Sequence, residues 1–298
     1  MISVGQASVN ESKVSDQPTE DMSHSASVSQ SQAAPVDSSS RKCAAQYLAE
    51  IMRTGSCPKD RLFDRFMPEP LRLVSPEYWT PLAVARRSAE WLEDFGIRTV
   101  VDIGSGAGKF CVAGALFGKC RFIGLEKYSS LVTSARALAD LFDLTDRVSF
   151  LAGALGSATT PVGDAYYFFN PFGEYCLGAD YPLEAGAEFT DTRHADDVAA
   201  AEDLLRRAPV GAWVLTYNGF GGRVPAGYEL VRVDWELRGV LRLWRKQRDT
   251  ARIGTRRAMN AQSRGQLALA AKSASVAVER LGSATAPSTW TWARCARS

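Results

Sequence analysis

The sequence predicts an α/β protein, a three-layer sandwich on a mostly parallel seven-stranded sheet that ends in an antiparallel hairpin. Three observations carry this expectation. Between residues 97 and 217, short and nearly continuous apolar runs alternate with helical patterns, as strands buried on both faces do. The first of these runs passes straight into a glycine-rich turn and then a helix. The last two runs are separated only by Arg238-Gly239, a spacing that pairs neighbouring strands as a hairpin.

Each element has its own reason. Residues 1–40 are rich in Ser, Gln, Ala and Val without helical or strand period, and such a segment buries too little surface to offset its ordering entropy. It is expected to be disordered. From Arg41 onward, Ala44, Leu48 and Ile51 recur at helical spacing, followed by Leu62, Phe63, Phe66 and Met67. Thr80 suits an N-cap and Pro81 the first position of a helix carrying Leu82, Ala85, Ala89 and Leu92 on one face, with Gly96 as its stop. Strands are expected at 98–103, 121–125, 148–151, 164–170 and 212–217, with helices at 109–116, 129–142 and 194–207. The hairpin takes 228–237 and 240–244, and a long loop spans 171–193. This divides the chain into a disordered segment (1–40), a helical extension packing on the core (41–96), the ligand-binding domain (97–246) and a weakly ordered tail (247–298).

Composition narrows the function. The chain has 298 residues, 46% hydrophobic and 23% charged, the ordinary mix of a globular protein. It contains no apolar run near the ~18–20 residues of a membrane helix, and its first thirty residues lack a secretory pattern. A cytoplasmic location without membrane contact is the expectation. The six cysteines form no C-x-x-C pair and the two histidines are His24 and His194, which argues against a disulfide scaffold, a metal cluster and histidine-centred catalysis. The net charge of +2 hides an asymmetry. Residues 1–40 carry Lys13 against five acids, while residues 246–298 carry ten bases against Asp249 and Glu279. Such a tail can dock an acidic or nucleic-acid partner.

The chemistry centres on Val100-Val101-Asp102-Ile103-Gly104-Ser105-Gly106-Ala107-Gly108. Glycines at a strand-to-helix turn let backbone approach a ligand, beside the unpaired N–H groups of a helix start. The spacing is G-x-G-x-G, not the G-x-G-x-x-G of dinucleotide binders. Asp102 ends an otherwise apolar strand, where a carboxylate needs a partner such as a ligand's cationic amino-acid moiety. Glu126 ends the second strand, where an acid can accept both ribose hydroxyls. Together they describe an adenosine-like ligand without phosphate and with an ammonium group, which fits S-adenosylmethionine.

On these motifs the chain resembles the class I S-adenosylmethionine-dependent methyltransferases. VVDIGSGAG is similar to that family's first motif, GLEK to its second, and DAYYFFNP followed by Phe172 to its fourth-strand motif. The resemblance covers residues 78–246, and implies a Rossmann-like fold with S-adenosyl-L-methionine as cofactor. It implies cofactor contacts from Asp102, Gly104, Ser105, Gly106 and Gly108, ribose binding by Glu126, and adenine packing near Lys127 and Tyr128. Ala154 stands where the family often carries a polar residue for the adenine amino group, and the connection 156–163 is too short for a full helix.

Asn170-Pro171-Phe172 resembles the Asn-Pro-Pro-aromatic signature of amino-group methyltransferases, with one proline missing. An Asn side-chain oxygen and a backbone carbonyl can hold an amine's N–H bonds so that its lone pair points in line, while an aromatic packs against the acceptor. Asn170, Pro171, Phe172 and Glu174 are therefore the candidate catalytic residues, Glu174 as a proton acceptor or cation attractor. The Tyr78-Trp79-Thr80 segment can close over the methionine end of the ligand, and a strand-ending turn remains the alternative for Asn170-Pro171. The leading expectation is a methyltransferase acting on an amino nitrogen of an unidentified acceptor (a protein side chain, nucleic acid or small molecule), with oxygen second. The alternative class is a nucleic-acid-binding protein whose Rossmann-like domain senses the cofactor without catalysis.

Overall fold

The computed structural model describes residues 38–157, 160–171 and 191–249. Most of the segment expected to be disordered, most of the 171–193 loop and nearly all of the basic tail lie outside the described residues. The first described helix, α1 (Ser38–Arg53), takes in the last three residues of that N-terminal segment. Its buried face of Ala45, Leu48, Ala49 and Met52 supplies the packing that holds it, and Ser38–Ser40 only extend its first turn.

Short helices α2 (Asp60–Asp64), α3 (Glu69–Leu73) and α4 (Ser75–Tyr78) lead into α5 (Leu82–Asp94). The start of α5 differs from the sequence expectation. Pro81 is the extended residue before the helix and no side chain of its own caps it. The Leu82 N–H instead donates to Asp60 Oδ1 at 2.9 Å, so α2 caps α5 from a distance. The Thr80 hydroxyl is drawn inward to the Tyr167 hydroxyl, 2.9 Å away and buried. A tertiary hydrogen bond has displaced the local cap.

The sheet follows the order β3-β2-β1-β4-β5-β7-β6. Its strands are β1 (Thr99–Ile103), β2 (Arg121–Glu126), β3 (Val148–Ala152), β4 (Ala165–Phe169), β5 (Trp213–Tyr217), β6 (Tyr228–Asp234) and β7 (Leu241–Lys246). The first five run parallel, β7 is antiparallel to β5, and β6 is antiparallel to β7. Strand β6 stops at Asp234, three residues short of expectation. Asp234 Oδ1 accepts the Glu236 N–H at 2.8 Å and Asn218 Oδ1 accepts the Val240 N–H at 2.9 Å, so these side chains satisfy the backbone that a longer hairpin would have paired.

Period-two alternation builds the two outer layers. Val100, Phe122, Phe150, Tyr167 and Leu215 face a core shared with α1, α5, α6 (Lys109–Phe117) and α7 (Ser129–Leu141). Val101, Ile103, Leu125, Phe168 and Val214 face the opposite way, onto Ala201, Leu204 and Leu205 of α8 (Asp191–Arg207). Among the described residues no helix joins β3 to β4. Helix α8 therefore packs against residues of β1, β2, β4 and β5 on that face. Its packing brings the N-terminal half of α8 towards the strand tips.

The extension is tied to the sheet by aromatic and ionic contacts. Phe63 stacks on Phe142 with ring centroids 5.1 Å apart. Lys109, the first residue of α6, is buried, with Nζ 2.7 Å from Asp60 Oδ1, 2.8 Å from Asp64 Oδ1 and 3.1 Å from Ser75 Oγ. Both acids and the serine belong to α2 and α4. Among the described residues no helix is long and apolar enough to cross a membrane.

Candidate active site at the strand tips

The carboxyl ends of β1, β2, β3 and β4 open into one cleft, the place where an open α/β sheet binds its ligands. Its floor is the glycine turn. Gly104, Gly106 and Gly108 have φ of +72°, +52° and +80°, a left-handed conformation that costs any residue with a Cβ. The turn is held from β2, since the Gly104 and Ser105 N–H groups both donate to the Leu125 carbonyl, at 2.9 and 3.1 Å. The three glycines serve different neighbours. A Cβ on Gly104 would meet Pro171 and one on Gly106 would overlap the Trp79 indole, both at the cleft. A Cβ on Gly108 would meet Phe150 and Ala135, so Gly108 serves helix-to-sheet packing.

Glu126, at the end of β2, lines the cleft although it is largely buried. Its Oε2 accepts the Gly106 N–H at 2.9 Å and its Oε1 accepts the Tyr128 N–H at 3.0 Å. Lys127 and Tyr128 continue the wall, with the ammonium 4.8 Å from the Tyr128 ring centre. Asn170 and Pro171 close the side belonging to β4. Asn170 is left-handed, with φ +41°, and its N–H donates to the Gly219 carbonyl at 3.2 Å. Phe172 and Glu174 lie outside the described residues.

Asp102 lines an adjoining cavity. That cavity is lined by Ser105, Thr80, Lys109 and Tyr167 as well, and Asp102 is 3% exposed. Burial pushes its carboxyl up to about 7, against a lowering hydrogen bond from the Cys111 thiol at 3.3 Å, while the negative Glu126 nearby adds to the rise. Tyr78, Trp79, Gly104 and Phe169 line both cavities. Trp79 is held in place by its Nε1–H, which donates to the Leu71 carbonyl at 2.9 Å. The Ser105 hydroxyl, also on the inner side, is buried without a hydrogen-bond partner among the described residues.

The structure thus brings Gly104, Gly106, Glu126, Lys127, Asn170 and Pro171 to one cleft, and Asp102 and Ser105 to the cavity behind it. Three contributors were not singled out in the sequence. Lys109 was detectable as a lone charge in an otherwise apolar helix, KFCVAGALF. Tyr167, stacked on Phe110 with ring centroids 3.5 Å apart, reads in sequence only as another core aromatic of β4. Asp197 of α8 also lines the outer cleft, and nothing in its polar helix marks it.

Strand order, strand direction and cleft position make this a Rossmann-like fold, a mostly parallel sheet with antiparallel end strands and a cleft at its strand tips. No family model matches the chain, and no curated protein matches it. Among solved structures it is similar to an RNA methyltransferase from Salinibacter ruber in complex with S-adenosyl-L-homocysteine, at 19% identity over 58% of this chain and 96% of that one, TM-score 0.42. It is also similar to an O-methyltransferase from Bacillus cereus in complex with the same product, at 13% identity over 70% of this chain and 100% of that one, TM-score 0.43. A third similar structure is the [4+2]-cyclase SpnF, at 13% identity, 54% and 81% coverage, TM-score 0.37. Likeness at this level carries no argument about the reaction, which rests on the site itself.

Proposed function

We propose that the protein is an S-adenosyl-L-methionine-dependent methyltransferase that acts on an amino nitrogen. The observation that carries this reading is the Glu126–Gly106 hydrogen bond. A dinucleotide site turns the N–H groups of its glycine turn toward a phosphate, whereas here a carboxylate takes the Gly106 N–H at 2.9 Å. A cleft floored by that carboxylate repels phosphate and presents acceptor oxygens to which ribose hydroxyls can donate. The buried Asp102 carboxyl supports the same ligand, because an ammonium group reaching it would supply the missing counter-charge.

The cofactor would supply an electrophilic methyl group on a sulfonium. Glu126 would hold its ribose, Asp102 its ammonium, and the glycine turn would give it close backbone approach. Asn170, at the tip of β4, would act on the acceptor. Its side-chain oxygen and the adjoining backbone carbonyl accept the N–H bonds of a neutral amine and aim its lone pair into the cleft. Alignment rather than strong base catalysis is what such a transfer asks of the protein. Glu174 is the proposed proton acceptor.

Calorimetric titration with S-adenosylmethionine, S-adenosylhomocysteine and NAD in parallel tests the cofactor. Micromolar binding of the first two alone is expected, and binding of NAD alone would overturn the reading. An acceptor screen with labelled methyl donor, comparing amine with hydroxyl acceptors, then tests the choice of nitrogen.

A further inference from the structure

We infer that Asp197 reads the base of the nucleoside ligand, accepting the exocyclic amino group of adenine from helix α8. The inference rests on the cofactor reading above. Glu126 stands at the tip of β2, with β1 on one side and β3 on the other. A ligand whose ribose lies at Glu126 and whose ammonium reaches Asp102 on β1 must carry its base towards the β3 side. That end of the cleft is formed by Gly153, Ala154 and Leu155, and Ala154 offers a base no polar side chain.

The fold fills this gap from elsewhere. With no helix described between β3 and β4, the chain after β3 packs directly on α8. A Cβ built on Gly156 would lie 3.6 Å from the Cβ of Ala200, an ordinary packing distance. Leu155 and Val198 pack against the same core cluster. Asp197 precedes Ala200 by three residues, so it shares that face of α8 one turn nearer the helix start. It lines the cleft together with Ala154 and Leu155, and Glu126 is the other acid in that lining.

Charge makes the reading selective. An ionised carboxylate only accepts hydrogen bonds. It therefore suits the amino group of adenine and opposes the carbonyl oxygen that hypoxanthine presents at the same position. The carbonyl oxygen of the analogue would face the carboxylate lone pair to lone pair, a repulsive contact that disfavours it.

The experiment is calorimetric titration of the full chain with S-adenosylhomocysteine and with S-inosylhomocysteine, its 6-oxo counterpart. The wild type, Asp197→Ala and Asp197→Asn are compared, each checked for folding by its melting curve. The wild type should prefer the adenine compound by about tenfold or more, the range of a charge-assisted hydrogen bond. Asp197→Ala should lose that preference through weaker binding of the adenine compound. Asp197→Asn should narrow it by improving the inosine compound, to which its amide can donate. Tight adenine binding with the preference intact in both folded variants would overturn the role of Asp197 alone. Failure of the wild type to bind either compound would overturn the cofactor reading and this inference together.

Discussion

The Glu126 carboxylate accepts the backbone N–H of Gly106 at 2.9 Å, so the acid at the tip of β2 fixes the turn that follows β1. One side chain thereby shapes the cleft floor and sets its charge. Glu126→Ala leaves the Gly106 N–H without this acceptor, a loss of about 1–3 kcal/mol where the group stays dry. The expected outcome is a matching fall in unfolding free energy, read by urea titration. Affinity for S-adenosylhomocysteine should fall about a hundredfold or more in calorimetry, because the proposed ribose contact would be lost as well.

Gly106 and Trp79 should behave as a coupled pair. Gly106→Ala must adopt φ +52° and also push against the indole. The backbone alone costs about 1–2 kcal/mol. In a Trp79→Ala background the same substitution should cost less, and the double-mutant cycle measures the difference. Equal costs in both backgrounds would show that the indole does not constrain the turn.

Asn170 separates backbone from side chain. Asn170→Gly keeps a residue that tolerates φ +41° but removes the amide. Transfer to an amine acceptor should slow by about 10²-fold, the order expected for a lost positioning contact, with cofactor affinity nearly unchanged. Asn170→Ala should slow it equally and also lower the melting temperature. Unchanged turnover in Asn170→Gly would make the residue a turn former only.

Asp102 predicts a pH dependence with a definite sign. Its carboxyl rises from 3.8 to about 7 on folding, because burial disfavours the charged form. The folded state thus holds this proton more tightly than the unfolded chain does. The resulting stability is fully present below pH 3.8 and is lost as pH rises through about 7. Asp102→Asn, which cannot ionise, should therefore exceed the wild type in stability at pH 8, by up to about 4 kcal/mol. The gain should vanish near pH 4. Denaturant unfolding at the two pH values checks this, and ligand binding by the variant should be weakened most at pH 8, where the wild-type carboxyl is charged.

The sheet was legible because its signals are local. Strands buried on both faces wrote apolar runs at β1, β2 and β4, and glycines marked the turn after β1, whose backbone is left-handed at three positions. The hairpin was legible in its pairing but not in its length, since Asp234 and Asn218 end it by side-chain bonds. The cap of α5 was misread for a related reason. Thr80 and Pro81 fit a local rule, but the Tyr167 hydroxyl and the Asp60 carboxylate act from 87 and 22 residues away. The place of Trp79 was only half legible. Its segment reads in sequence as a cover for the ligand, and only packing shows its indole lying against the glycine turn, where a Cβ on Gly106 would overlap it.

The burial of Lys109 has a consequence for how the polypeptide matures and how it can be cut. Its counter-charges, Asp60 and Asp64, emerge from synthesis well before it and find their partner only once α6 has formed. A fragment started at residue 97 would lack both acids and also the α1 and α5 side chains that complete this face of the core. Losing one partner of a buried pair already costs about 3–5 kcal/mol, a large share of what holds a typical domain together. The helices before β1 and the sheet should therefore melt as one cooperative unit, and a minimal fragment of the sheet should fail to fold even though it retains every glycine of the turn.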